Sequence, residues 1–405
     1  MKSSTNNIYP DYIIQIGLIV FVIFSPFSIA GAQIGLGIGL LGWLLKIIYN
    51  QRLNWTSSYL EKPLLLYLLA LLVTAFFAFN RLNSLKAVGE EWLILIFFLM
   101  VNNIKDINFI KKLLLIIILI SSVVAVYAIV QHYTGIDLYR SRTLGVVRGT
   151  HKYRSIGNFG VSLTYGFYAM LIGILSFCLA LYEKSKLGKY FFYSATILCA
   201  TASLFTYSRS TLLALFVAGF FFFIFNWNRR KLLIPVLAYF LLIYAVDPQI
   251  LLRSERAIQA ESIVKADSRT IIWTTSFRIF LDHPIFGVGF NNFGGFYEKY
   301  KPEGSPAFGH AHNDLLNVAA NAGIIGLVAF VWLMFSILRN LIRNFKRTKE
   351  KFGLGISNAV LISFVAYLVA CQFQCYYIDA VDGLILFFVL GVGQTVDNHY
   401  RETTT

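Results

Sequence analysis

Residues 113–131 read LLLIIILISSVVAVYAIVQ, nineteen residues without a charge, preceded by Lys111 and Lys112 and followed by His132. A helix of that length rises about 28 Å, close to the ~30 Å thickness of a bilayer's hydrocarbon core. A helix apolar on every side belongs inside a large protein or inside lipid. Similar runs recur along the chain at about 12–30, 32–49, 63–79, 85–101, 113–131, 158–182, 190–207, 210–226, 232–247, 314–337, 355–373 and 380–396. The alternation of an outward/inward β-barrel strand is absent from them. Composition agrees: 57% of residues are hydrophobic and 14% charged, with a mean hydropathy of +0.66, against roughly 25% charged residues in soluble domains. The expected fold is all-α, a polytopic bundle of about twelve transmembrane helices forming a single integral membrane domain over residues 1–405.

Lys and Arg in short loops mark the cytoplasmic side. The connections with Lys46, Arg52 and Lys62, with Lys105, Lys111 and Lys112, with Lys184, Lys186 and Lys189, with Arg229, Arg230 and Lys231, and with Arg339 through Lys351 fall on one side. An even span count then puts both termini in the cytoplasm and the two longest loops, 132–157 and 248–313, outside. Long loops that are not low-complexity sequence are usually functional. Only Lys2 precedes the first apolar run, with no small-residue cleavage site after it, so no removable signal peptide is expected. The four cysteines, Cys178, Cys199, Cys371 and Cys375, lie in or beside apolar runs without a CxxC pair and read as small buried hydrophobes.

Several residues depart from the charge rule. The first outer loop holds Arg140, Arg142, Arg148, Lys152 and Arg154 against one acid, Asp137. Basic residues on the outside need a reward, which either a phosphate-like anion or anionic lipid headgroups supplies. Arg209, in FTYSRSTLLALF, stands between two apolar runs with no acid near it. It either snorkels to the outer interface or faces a polar cavity and holds an anion, for which its planar fork suits a phosphate. In the second loop the part through Phe280 reads as helical, with Arg269 and Trp273 one turn apart, and the Gly- and Pro-bearing remainder as loop. Arg269 stacks on Trp273, pairs with Asp267 or Asp282, or serves a ligand.

That loop ends in AFGHAHNDLLNVAANAGIIGL, residues 307–327. His310 and His312 have a spacing that could serve a metal, but a catalytic zinc needs three protein ligands and no third is evident. Asn313 is placed to cap the helix beginning near Leu315. A histidine at the outer face can also act as a general base near neutral pH, and nearby arginines would lower its pKa and keep it neutral.

His312-Asn313, followed by Gly323-x-x-Gly326, resembles the His-Asn and Gly-x-x-Gly signature of bacterial O-antigen ligases, part of a superfamily of membrane glycosyltransferases that includes O-antigen polymerases. Ser208-Arg209-Ser210 resembles the family's Ser-Arg motif at the outer end of a helical hairpin. Arg269-Thr-Ile-Ile-Trp273 resembles its Arg and Trp motif, and His283-Pro-Ile-Phe-Gly-Val-Gly289 its Pro-x-x-Gly-x-Gly loop; Arg154-Ser-Ile-Gly157 is similar to a further family feature. The resemblance implies a GT-C-type fold with a large, partly helical periplasmic loop at 248–313 carrying the active site. It implies a metal-independent, inverting transfer of a glycan from undecaprenyl diphosphate to a sugar of lipid A–core, completing lipopolysaccharide at the periplasmic face of the inner membrane. His312 would be the catalytic base, and Arg209 and Arg269 would hold the donor diphosphate. Arg154, His310 and Asn313 would support or bind substrate. No cofactor, metal or nucleic acid is expected, and the chain would act as a monomer among membrane lipids. Extension of lipid-linked glycan by a polymerase is the nearest alternative. Protein O-oligosaccharyltransferases usually carry a sizeable C-terminal domain, whereas only Asp397 to Thr405 follows the last span here. A lipid or solute transporter would place its polar groups at mid-membrane.

Overall fold

A computed structural model describes residues 8–147, 150–250 and 268–402. Its helices are α1 (Ile8–Phe24), α2 (Ile29–Asn50), α3 (Glu61–Phe76), α4 (Arg81–Gly89), α5 (Leu95–Asn103), α6 (Ile107–Thr134), α7 (Ser162–Tyr182), α8 (Lys186–Leu204), α9 (Arg209–Phe225), α10 (Leu233–Val246), α11 (Ser268–Asp282), α12 (Phe293–Tyr300), α13 (Asp314–Arg347), α14 (Lys351–Ala370) and α15 (Ala380–Glu402). Among the described residues the only strands are the two-residue pair β1 (Ile136–Asp137) and β2 (Arg142–Thr143), antiparallel in the first outer loop. The chain is therefore all-α and carries the apolar helices of a multi-pass membrane protein.

Six helices, α2, α6, α7, α13, α14 and α15, are long and apolar enough to cross a bilayer. The other expected spans also fall on helices, but shorter ones, and two differ from the reading in an informative way. The run at 85–101 is not one helix: α4 ends at Gly89, a 3-10 turn occupies Glu90–Ile94, and α5 follows. The break falls where Glu90 and Glu91 enter an otherwise apolar run, and Glu91 accepts the Tyr377 hydroxyl at 3.2 Å. The run at 232–247 becomes a 3-10 turn at Trp227–Leu232 and then α10, fourteen residues long. In the second long loop, α11 covers Ser268–Asp282, and the part of the expected helix before Ser268 lies outside the described residues.

The interior is packed by aromatic side chains from non-consecutive helices. Tyr67 of α3, Phe330 of α13 and Tyr377 meet with ring centroids 5.1–5.6 Å apart, and Phe167 of α7 stacks on Tyr376 at 4.3 Å. Apolar side chains left outside, such as Ile34, Leu41 and Ile48 on α2 and Leu237, Leu241 and Leu242 on α10, form the girdle that lipid covers. All four cysteines are free and buried, as their apolar surroundings predict.

A break in α13 positions the His283–Gly289 stretch. Gly323 has φ 60° and ψ −160°, outside any helical conformation. In an unbroken helix the N–H of Ile324 would go to the carbonyl of Ala320. Here it goes to Pro284 O at 2.8 Å, while Ala320 O accepts the Val288 N–H at 3.0 Å and Asn321 O accepts the Gly289 N–H at 2.8 Å. The His283–Gly289 stretch thus takes over the hydrogen bonds the break releases. Contact is backbone to backbone: a Cβ on Gly323 would stand 2.2 Å from Ile285 O, and one on Gly287 2.4 Å from the Asn321 carbonyl carbon. On its far side the same loop is gripped by α4, where Ser84 Oγ donates to Phe290 O at 2.8 Å and Asn83 Nδ2 to Asn291 O at 2.8 Å.

Gly323→Ala should therefore destabilise the protein by about 2 kcal/mol or more, from positive-φ strain and the clash with Ile285. Gly295→Ala, where nothing lies within 4 Å of the added methyl, should be near neutral. Thermal unfolding in detergent checks both; equal midpoints for the two variants would show that the loop does not depend on the break.

Candidate active site

The site begins at the N-terminus of α13. Asn313 is its N-cap, with Oδ1 accepting the Leu316 N–H at 3.0 Å. Its Nδ2 donates to Gln372 O at 3.1 Å, and the next residue, Asp314, donates its N–H to Cys371 O at 2.8 Å. Asn313 thus does cap the helix, and it also ties that helix end to the segment joining α14 and α15. The Asp314 side chain, 1% exposed, accepts from the Tyr367 hydroxyl at 3.1 Å and the Tyr377 N–H at 3.2 Å.

His312 sits one residue before the cap with φ 49°. Its Nδ1 meets Oε1 of Gln374 in a close hydrogen bond. Its backbone N–H donates to His310 Nδ1 at 3.3 Å, and the two rings lie 4.2 Å apart at 65°. Phe308 adds an edge contact at 5.5 Å. Burial and then the neighbouring His312 push His310 down to about 4, so it is a neutral acceptor at pH 7. For His312, burial lowers the pKa, the Gln374 hydrogen bond opposes it, and the Arg269 cation lowers it further; the net result lies below the ordinary imidazole value. The two histidines gather no third ligand: among the described residues no group of three or more His, Cys, Asp or Glu is placed to hold a metal.

Arg269 opens the second turn of contacts. It lies in the first turn of α11, half-buried, with its guanidinium 5.7 Å from the centroid of the Phe373 ring. Trp273, one turn on, packs against the same ring at 6.1 Å. The aromatic face that Arg269 covers is thus Phe373, with Trp273 beside it. Asp267, one of its expected partners, lies outside the described residues, and Asp282 hydrogen-bonds Tyr300.

The α8–α9 hairpin supplies the third part. Its turn holds Tyr207 at φ 50°, and Ser208 caps α9, accepting from the Thr211 side chain at 2.7 Å. Ser208 Oγ lies 2.9 Å from Ser210 Oγ, which in turn lies 3.3 Å from the Tyr376 hydroxyl. Arg209 is the first residue of α9 and is exposed. A cation at a helix N-terminus opposes the macrodipole, and among the described residues no carboxylate pairs with it. Guanidinium and free helix N–H groups together make a place for an anion. Arg154, half-buried, donates through Nε to Thr206 O at 3.2 Å and so braces this turn.

The remaining basic residues of the first outer loop have structural partners. Asp137, 0% exposed, takes Arg142 Nε at 3.1 Å and lies 3.7 Å from Arg140 Nη1. Arg140 also donates to Asn158 O at 2.8 Å, and Lys152 lies 3.9 Å over the Tyr133 ring. Much of the outside charge is thus rewarded within the loop, an outcome that neither the lipid nor the anion reading anticipated. Arg148 lies outside the described residues.

One segment touches every part: Gln372 holds Asn313, Phe373 faces Arg269, Gln374 holds His312, and Tyr376 reaches the cap of α9. Sequence reasoning missed these residues. The available signal was the pair of glutamines in CQFQCYY, residues 371–377, polar groups at an outer loop between two apolar runs.

Fold and site describe an all-α chain with the apolar helices of a multi-pass membrane protein, His312 just ahead of α13 and Arg209 at the start of α9. Residues 194–331 match the family model described as O-Antigen ligase, and that segment carries Arg209, Arg269, His312 and Gly323. None of the curated proteins compared with the chain matches it.

The ionisation of His312 follows directly. Its ring should be neutral at pH 7 and acquire charge only below the free-imidazole value of about 6.5. Arg269→Gln removes one cause of the lowering, so the midpoint should move up. The pH dependence of His312 carbethoxylation, read by mass spectrometry, measures it; a midpoint unmoved or lowered in the variant would show that Arg269 exerts no field on the ring.

Proposed function

We propose that this chain is an O-antigen ligase that moves a glycan from undecaprenyl diphosphate to a sugar hydroxyl of lipid A–core. The observation that carries the reading is that residues 373–376 meet His312 through Gln374, Arg269 through Phe373 and the start of α9, beside Arg209, through Tyr376 and Ser210. In the reaction the acceptor oxygen attacks the anomeric carbon from the face opposite the diphosphate. Its proton passes to His312, and the carbon–oxygen bond to the diphosphate breaks with inversion. Arg209 and Arg269 hold the diphosphate and stabilise the charge that grows on it. The leaving group arrives already activated, so the scheme calls for neither nucleotide nor metal. Arg154 braces the Arg209 turn, and His310 and Asn313 fix the His312 loop.

The same proposal sets the topology: twelve crossings of the inner membrane as one GT-C-type domain, both termini cytoplasmic, the site periplasmic, and a monomer as the working unit. A transporter is less well supported, because the break in α13 is filled by the chain's own 284–289 stretch.

The test is to incubate purified protein with an undecaprenyl-diphosphate-linked glycan and lipid A–core, and to locate the glycan by gel and mass spectrometry. Glycan on the core is the expected result; longer glycan still on the polyprenyl diphosphate would make the protein a polymerase. His312→Ala should lower the rate by about 10²–10⁴-fold. Arg209→Lys, which keeps the charge and loses the fork, should weaken donor binding by about tenfold, roughly 1.4 kcal/mol. Wild-type donor affinity in that variant would remove Arg209 from the diphosphate site.

A further inference from the structure

We infer that Gln374 is a positioning residue that holds the His312 proton on Nδ1 and thereby makes Nε2 the basic nitrogen offered to the acceptor. The inference rests on the proposed role of His312 and adds to it the partner that gives the ring its orientation and tautomer.

The argument starts from what an amide oxygen can do. Oε1 of Gln374 faces Nδ1 of His312, and a carbonyl oxygen only accepts, so Nδ1 must carry the hydrogen. In neutral imidazole one nitrogen then remains with a lone pair, and it is Nε2. The other close polar neighbour does not compete for that choice: His310 Nδ1 is engaged by the backbone N–H of His312, not by its ring.

Gln374 is held firmly enough to impose the choice. It is 7% exposed, and the segment around it is fixed at three points: Asp314 N–H to Cys371 O at 2.8 Å, Asn313 Nδ2 to Gln372 O at 3.1 Å, and Tyr376 to Ser210 at 3.3 Å. The histidine is equally constrained, since its φ of 49° is a conformation that surrounding structure must enforce.

The choice of an amide over a carboxylate has its own logic. In a Ser-His-Asp site the acid both orients the imidazole and stabilises the imidazolium that forms. Here a carboxylate would draw a proton onto His312 before the reaction and leave fewer rings able to accept one. An amide orients the ring without adding a charge. The proton balance is simple: as the acceptor oxygen bonds to carbon and the diphosphate leaves, its proton moves to Nε2. The imidazolium keeps its Nδ1–H on Gln374 and afterwards loses the Nε2 proton to water.

Gln374→Glu, Gln374→Ala and the double variant His312→Ala/Gln374→Ala are compared for transfer as a function of pH and for His312 carbethoxylation. Gln374→Glu keeps an acceptor on Nδ1 but adds negative charge. Its acid limb, and the carbethoxylation midpoint of His312, should rise by about one pH unit or more, with transfer retained above the new limb. Gln374→Ala should lower kcat by about tenfold or more, less than His312→Ala does, with the donor KM unchanged. The double variant should be no slower than His312→Ala alone, because Gln374 acts only through the ring. Wild-type kcat in Gln374→Ala, an unmoved His312 midpoint in Gln374→Glu, or a further loss in the double variant would each overturn the inference. Carbethoxylation needs no turnover: absence of glycan transfer in the wild-type protein would sink the proposed function, whereas an unmoved midpoint would sink the Gln374 assignment itself.

Discussion

The seating of residues 284–289 on α13, and with it the end of α11, depends on an exchange of backbone hydrogen bonds at Gly323. In a bilayer an unpaired N–H or C=O costs several kcal/mol, so a helix can break there only where other protein groups take over. Residues 284–289 do so, giving Pro284 O to Ile324 and taking Ala320 O and Asn321 O onto Val288 and Gly289. Two glycines, one on each side, allow the backbones to meet. The exchange fixes residues 284–289, which follow α11, relative to α13. α4 closes the arrangement from the other side through Asn83 and Ser84.

From that anchor the site is assembled by the short connection between α14 and α15. The connection contributes no group that the chemistry would name first, yet it holds His312 and Asn313 and faces Arg269. Its glutamines hold Asn313 and His312, and its aromatic residues face Arg269 and the cap of α9. The left-handed backbone at Tyr207 and at His312 falls at the two turns this connection braces. Strain of this kind persists only where neighbours over-determine it, which accounts for the density of hydrogen bonds there.

The electrostatics divide into structural and chemical charges. Arg140 and Arg142 neutralise the buried Asp137 and shape the first outer loop, and Arg154 braces the α8–α9 turn. Arg209 instead adds positive charge to a helix end that is already positive. Burial and the Arg269 cation lower the pKa of His312 below the ordinary imidazole value. Cations that look alike in sequence thus find different partners, a carboxylate for Arg140 and Arg142 and a backbone carbonyl for Arg154.

The sequence by itself determined the all-α membrane class, because an apolar run of the length of 113–131 has few other solutions. It also pointed to candidate residues, Arg209 by its charge between two apolar runs and His312 and Arg269 by motifs that resemble those of a known family. The cap at Asn313 was legible for the same reason, being a short-range hydrogen bond. Tertiary structure decided the rest. The interruption at Glu90–Ile94 and the break at Gly323 depend on partners far along the chain, Tyr377 and Pro284. Gln374 stands 62 residues from His312, and no periodicity reveals a contact across that separation. Which arginines are structural likewise depended on where Asp137 was buried, and burial of a loop residue is a property of the folded chain, not of its neighbours in sequence.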